Sequence, residues 1–292
     1  MIKPKALVLL SGGLDSLLVI KLLKEQAQIT AAWFKLPFVK DSKGRIREFC
    51  NKEKIRLEII DCAKGKLFDE YIEMLKKPKH PRGTALNPCI DCHIFLLRKA
   101  KEFAYKNNIE IIATGEVLGE RPLSQTSKAL KLIEKEAGEI LRPLSAKLLP
   151  ATSWEKKGLI DRNKLLDIQG RSRKKQIELA KKYKISFPSP GGGCLLCEKE
   201  YCKKLKQLLN KKISYNDIKL LSIGRHFENS SIILGRNQEE NSILEKQQGI
   251  LVIPKQPAGT ALVKDKKLIE KAKELIKKYS RHEIKDFEIK TN

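Results

Sequence analysis

Apolar positions fall in short unbroken runs near the start of the chain and thin out toward its end. Residues 6–10 (ALVLL) form the continuous apolar run of a strand covered on both faces, and 17–25 carries the spacing of an amphipathic helix. Strand, tight turn and helix open an α/β domain. Residues 29–36, 56–61 and 109–113 read as further strands, with helices at 67–76 and 94–107 between them. This alternation predicts a parallel sheet with helices on both faces. Residues 171–184 (RSRKKQIELAKKYK) predict a helix with one thin apolar face, broken afterwards by Pro188-Ser189-Pro190-Gly191-Gly192-Gly193. Beyond about residue 203 the elements shorten: strands at 232–234, 250–253 and 261–264 and a basic helix at 266–279 predict a smaller α+β domain. The expected division is 1–202 and 203–292.

Charge changes this picture. Against 35 Asp and Glu stand 60 Lys and Arg, a net +25, which makes a polyanion the expected partner. No apolar run reaches the ~18 residues of a membrane span, and the first residues do not read as a signal peptide, so a cytoplasmic protein without a membrane partner is expected. Only 6% of residues are aromatic, so nucleic acid would be held by shape and backbone rather than by base stacking. Arg171, Arg173, Lys174 and Lys175 form the densest cationic cluster, and Arg236 stands in a second one, so these are the candidate RNA contacts.

Ser11-Gly12-Gly13-Leu14-Asp15-Ser16 lies where the first strand meets the first helix. Glycines let backbone approach a phosphate, two hydroxyls can donate, and free N–H groups of the first helical turn attract an anion. Neither the Walker spacing nor the dinucleotide fingerprint is present. Asp15 is the carboxylate placed to orient magnesium or a ribose.

Seven cysteines, an odd number without an export signal, argue against a disulfide framework. Cys50 and Cys62 read as ordinary semi-buried thiols. The others cluster in Cys89-Ile90-Asp91-Cys92 and in Cys194-Leu195-Leu196-Cys197 with Cys202. The first pair precedes a helix, where thiol pKa values are expected to be depressed. Thiol redox work, half a zinc site and part of an iron–sulfur site all fit.

The loop 11–16 closely resembles the S-G-G-x-D-S signature of the N-type ATP pyrophosphatases, the PP-loop superfamily. With Asn87 to His93, Ala113-Thr114-Gly115-Glu116, Arg121-Pro122-Leu123-Ser124-Gln125 and Gly191-Gly192-Gly193-Cys194, the chain resembles the tRNA thiolation branch of that superfamily, the thiouridine and thiocytidine synthetases. The resemblance implies an adenine nucleotide alpha hydrolase-like fold, with ATP and Mg2+ at Ser11, Gly12, Gly13, Asp15, Ser16 and Gly115. It also implies tRNA as substrate, a sulfide or persulfide donor, and Cys89, Cys92, Cys194 and Asp15 as catalytic residues. In some relatives a Cys-x-x-Cys and one distant cysteine hold a [4Fe–4S] cluster. Cys89, Cys92 and Cys194 match that count; Cys197 would be an extra ligand, and zinc or no cluster are the alternatives. Ile223-Gly224-Arg225-His226-Phe227 and the segment from Leu234 to Asn241 resemble an NFACT-type RNA-binding domain.

The resemblance thus implies that a pyrimidine carbonyl oxygen, expected to be uridine's, is adenylated and replaced by sulfur. Two other readings fit parts of the sequence: a different adenylating ligase or amidotransferase, and a non-catalytic, metal-containing RNA-binding protein. Glu116 departs from relatives with His at that place and can bind magnesium or a ribose hydroxyl. His93 fits a proton carrier or a ligand, and Arg121 and Lys147 are candidates for neutralising phosphate charge.

Overall fold

The computed structural model describes residues 3–188 and 193–292. The middle of the Pro-Gly bend, 189–192, lies outside the described residues. The chain divides into two compact units after Cys197, so Cys202 belongs to the second.

The first unit runs β1 (Lys5–Leu9), α1 (Leu14–Leu23), β2 (Gln28–Lys35), α2 (Lys43–Glu53), β3 (Arg56–Asp61), α3 (Gly65–Lys76), α4 (Cys89–Lys106), β4 (Ile111–Ala113), α5 (Ser127–Ala137), α6 (Ser153–Lys156) and α7 (Lys174–Lys182). Among the described residues the strands form one parallel sheet in the order β3-β2-β1-β4. The apolar run of β1 is explained by its central place: Val8 lies between Ala31 and Ala113. Side chains alternate across a strand, so the run feeds two cores. Ala6 and Val8 pack with Leu14, Leu17 and Leu18 of α1 and Ala180 of α7, whereas Leu7 packs with Ile94 and Leu97 of α4 and Ile133 of α5. Helices therefore cover both faces, as the alternation predicts.

Two boundaries differ from expectation in ways that affect the site. α4 begins at Cys89, not at residue 94, with Pro88 as its N-cap, so both cysteines lie in its first turn. Proline is well suited to a helix start because it gives up an N–H that would lack a partner there. α7 begins only at Lys174, with Arg173 as its N-cap.

The second unit runs α8 (Lys199–Leu209), α9 (Tyr215–Leu220), β5 (Arg225–Phe227), β6 (Ile232–Leu234), α10 (Gln238–Leu244), β7 (Ile250–Pro254), β8 (Ala261–Val263), α11 (Ile269–Tyr279) and β9 (Phe287–Thr291). Its sheet is antiparallel in the order β5-β6-β8-β7-β9. Period-two alternation again sorts the side chains: Ile232, Leu234, Ala261 and Val263 meet Ala272 and Ile276 of α11, while Ile233 and Leu262 meet Leu220 and Leu244. Among the described residues no helix is long and apolar enough to cross a membrane.

Candidate active site

In an open parallel sheet, ligands bind beyond the carboxyl ends of the strands, where the strand order changes direction. Here that place lies between β1 and β4. The loop after β1 is Ser11–Ser16, and its bonds close on themselves. Ser16 Oγ donates to Gly13 O (2.8 Å) and accepts from Ser11 N (3.2 Å), while Gly12 takes a φ of +81°. No side chain caps α1. The free amides of its first turn are left for an anion, the arrangement expected of a phosphate loop. From the β4 side Gly115 closes against it: a Cβ there would sit 2.6 Å from Ser16 N and 2.8 Å from Asp15 C. Glycine at 115 thus permits the two loops to touch.

Around Asp15 stands a set of charges that the sequence only partly announces. Arg173 Nη2 approaches Asp15 Oδ2 at 3.7 Å and Arg173 Nε approaches Glu120 Oε1 at 4.0 Å, while Gln176 Nε2 donates to Glu120 Oε2 at 3.2 Å. Burial raises the carboxyl pKa of both Asp15 and Glu120 above the usual range, although Arg173 and Arg121 pull both down. Asp15 Oδ1, Arg173 Nε and Gln176 Oε1 are buried without hydrogen-bond partners. Asp15 and Glu120 are hard carboxylate donors beside the loop Ser11–Ser16, so the residues present suit a magnesium ion.

The thiols gather beside this loop. The turn Leu195–Cys197 is pinned to the entrance of α4, because Leu86 N and Asn87 N donate to Leu196 O at 3.3 and 2.9 Å. Cys194 pairs with Val39 in an isolated bridge beyond the end of β2. Cys89, Cys92, Cys194 and Cys197 thereby share one neighbourhood, in which each negative charge would raise its neighbours' pKa values. Cys197 is exposed, and Cys89, Cys92 and Cys194 are half-buried.

The expected depression of thiol pKa values is corrected by the structure. Burial pushes Cys92 up to about 12 and also raises Cys89 and Cys194. Desolvation and neighbouring thiols outweigh the helix N-terminus, the Arg121 charge at Cys89, and the Tyr71 hydroxyl, which lies 3.3 Å from Cys92 Sγ. Cys62 and Cys50 are fully buried rather than semi-buried, with pKa values raised to about 12 and about 11, mainly by burial. In number and donor chemistry Cys89, Cys92 and Cys194 suit an iron–sulfur cluster. In arrangement they do not: among the described residues no three His, Cys, Asp or Glu side chains stand grouped for a metal ion.

Glu116 joins the two halves. Its carboxylate is buried and accepts from His93 Nδ1 (2.7 Å), Thr114 Oγ1 (3.0 Å) and Arg142 Nε (2.9 Å). Burial opposes its ionisation, yet the His93 bond and the Arg142 charge overcome that and hold its pKa at about 2. The side chain is therefore fully engaged by protein, not available to magnesium or ribose as the sequence suggested. With Nδ1 committed to Glu116, only Nε2 of His93 remains for another partner. Tyr71 and Arg142 carried no sequence signal, since one sits on an ordinary apolar helix stripe and the other 26 positions from its partner.

The remaining cations separate. Arg171, Lys174 and Lys175 are exposed, and Lys175 pairs with Asp167 at 3.0 Å. Lys147 donates to Asn163 O at 2.9 Å. In the second unit Arg236 Nε bonds both Glu240 oxygens at 2.9 and 3.0 Å.

Residues 2–148 match the family model described as ThiI, thiamine biosynthesis protein. No curated protein matches the chain. Similar solved structures include a predicted subunit of tRNA methyltransferase from Methanocaldococcus jannaschii, at 17% identity over 61% of this chain and 76% of that one, TM-score 0.36. An NH3-dependent NAD synthetase from Campylobacter jejuni is 14% identical over 75% and 82%, TM-score 0.36. An NMN synthetase from Francisella tularensis is 13% identical over 75% and 84%, TM-score 0.38. At such scores no functional inference attaches to them.

Proposed function

The chain belongs to the ThiI family of PP-loop ATP pyrophosphatase domains, and from that premise we propose that it is an ATP-dependent tRNA sulfurtransferase acting on a pyrimidine carbonyl, uridine's in the first instance. One observation carries the reading: the phosphate loop and the thiols occupy one end of one sheet. Gly115 abuts Ser16, the next residue Glu116 holds His93, and His93 follows Cys92.

The free amides of α1 and the hydroxyl of Ser11 hold the triphosphate so that its α-phosphorus faces the base, while Ser16 Oγ braces the loop through Gly13 O. The carbonyl oxygen attacks that phosphorus, pyrophosphate departs, and the oxygen becomes the leaving group AMP. Asp15 and Glu120 would hold a magnesium ion entering with ATP, which would supply positive charge to the phosphates. The thiols then bring sulfur to the carbon bearing the AMP ester. A persulfide donor passes its outer sulfur to one thiol, that sulfur attacks the carbon as AMP leaves, and a second thiol breaks the S–S bond to leave a disulfide, which an external thiol reductant then reopens. A [4Fe–4S] cluster on Cys89, Cys92 and Cys194, the alternative that the resemblance implies, would need these three thiols drawn together from where they stand. Iron and acid-labile sulfide in anaerobically purified, active protein support the cluster, and iron-free active protein supports the persulfide route.

The second unit, NFACT-like by resemblance, is proposed to hold the tRNA backbone through its exposed cations, with Arg236 fixed by Glu240. Mass spectrometry of nucleosides tests the whole reading. Cys89→Ala, Cys92→Ala and Cys194→Ala each abolish the thionucleoside; its persistence in all three contradicts the proposal.

A further inference from the structure

The cationic stretch Arg171-Ser172-Arg173-Lys174-Lys175 is continuous in sequence and divided in space. Arg171, Lys174 and Lys175 point to solvent, whereas the Arg173 side chain is 19% exposed and lies over Asp15 of the phosphate loop. The packing of α7 explains the difference. Ala180 and Leu179 dock in the same core as Leu17 and Leu18 of α1, and Gln176 is wholly buried one turn in from the helix start. The N-cap residue is thereby held against the loop at the start of α1.

Its pairing there is incomplete. Charge-assisted bonds of guanidinium to carboxylate run about 2.7–2.9 Å, yet Arg173 stands 3.7 Å from Asp15 and 4.0 Å from Glu120. Its Nε has no acceptor, and Asp15 Oδ1 and Gln176 Oε1 have no donor. Burying such groups unpaired is unfavourable. The unmet set contains a cationic donor and neutral and anionic acceptors together. A polyphosphate with a hydrated cation offers partners to both kinds, and a lone RNA phosphate offers partners only to the donor. Arg121 contributes a second positive charge to the same two carboxylates.

We propose that Arg173 is a nucleotide-binding residue that takes a phosphate oxygen of ATP at the loop Ser11–Ser16, leaving RNA contact in this segment to its exposed neighbours. The assignment rests on the reading of that loop as an ATP site and not on thiolation. It also sets the order of the segment: the side chain at the helix start reads the nucleotide, and the residues flanking it face the polyanion.

The test measures two affinities of the full chain: a fluorescent ATP analogue with magnesium, titrated without RNA, and unfractionated tRNA, retained on filters at fixed salt. Arg173→Ala weakens nucleotide binding roughly tenfold or more, the loss of one hydrogen bond between charged groups, and changes tRNA affinity less than twofold. Arg173→Lys keeps the charge without the planar fork, preserves the fold, and falls between the two. Thermal unfolding of each variant separates lost binding from lost structure. Unchanged nucleotide affinity in folded Arg173→Ala or Arg173→Lys overturns the assignment, as does a loss of tRNA affinity that exceeds the loss for nucleotide. A wild-type chain that binds no ATP analogue would instead refute the ATP reading itself.

Discussion

Replacing Glu116 by Gln keeps the shape and removes the charge on which the centre of the first unit turns. The buried carboxylate bonds His93, Thr114 and Arg142 at 2.7, 3.0 and 2.9 Å, and the Arg142 side chain is only 2% exposed. Without it Arg142 keeps Glu134 at 3.0 Å through Nη1, while Nη2 already lacks a partner. Two routes give the cost. The carboxyl lies at about 2 rather than 4.5, and that difference corresponds to roughly 3 kcal/mol at ~1.4 kcal/mol per unit. Removing one partner of a buried pair costs ~3–5 kcal/mol by comparison with measured cases. Urea unfolding followed by tryptophan fluorescence reads this unit alone, because both tryptophans, Trp33 and Trp154, lie within it. A loss of about 3 kcal/mol at neutral pH is expected. Because the folded pKa is depressed, the contribution is complete above about 4.5 and disappears as pH falls toward 2. The gap between wild type and variant therefore narrows through that window. A loss below ~1 kcal/mol at neutral pH, or a gap that widens on acidification, refutes the assignment of this triad as a stabilising charge.

Gly115→Ala forces a methyl to within 2.6 Å of Ser16 N, so the phosphate loop must move; KM for ATP rises tenfold or more by the strain of overpacking, ~1–3 kcal/mol, while the melting temperature shifts only a few degrees. In metal-free native protein, peptide mapping after brief iodoacetamide treatment finds Cys197 modified first and Cys50 and Cys62 last, following exposure and the burial that raises the latter two thiols. With a net charge of +25, tRNA affinity falls linearly in log salt; a flat response would show that the surplus charge does not contact the RNA.

The central strands were legible because β1 must be apolar on both faces, and 6–10 reads that way without alternation. The phosphate loop was legible because its glycines and hydroxyls act locally, between one strand and one helix. α2 was not: it is polar, with only Ile46 and Cys50 buried, so its apolar stripe is too thin to show a period. α5 has such a stripe in Leu130, Ile133 and Ala137 and a Thr126 cap accepting from Ala129 N, so this helix is encoded locally in the sequence. The start of α4 was hidden because its first turn, Cys89-Ile90-Asp91-Cys92, carries too few apolar residues to extend the periodic stripe that begins at Ile94, although Pro88 is a fitting residue for a helix start. For the thiols, sequence gave the helix terminus and not the burial, and burial is the larger effect on Cys92. Long-range pairs such as Glu116 with Arg142, or Arg173 with Asp15, depend on the sheet bringing separate loops together. No local pattern encodes them, so Arg173 reads in sequence as one more surface cation.

The most direct measurement incubates the protein with tRNA, Mg-ATP and a persulfide or sulfide donor, and quantifies AMP and thionucleoside in the same samples. The account predicts one AMP and one pyrophosphate per thiouridine formed, with thionucleoside absent when any of Cys89, Cys92 and Cys194 is replaced by Ala. AMP and pyrophosphate formed with no sulfur in the RNA under any donor, or without dependence on RNA, would contradict it.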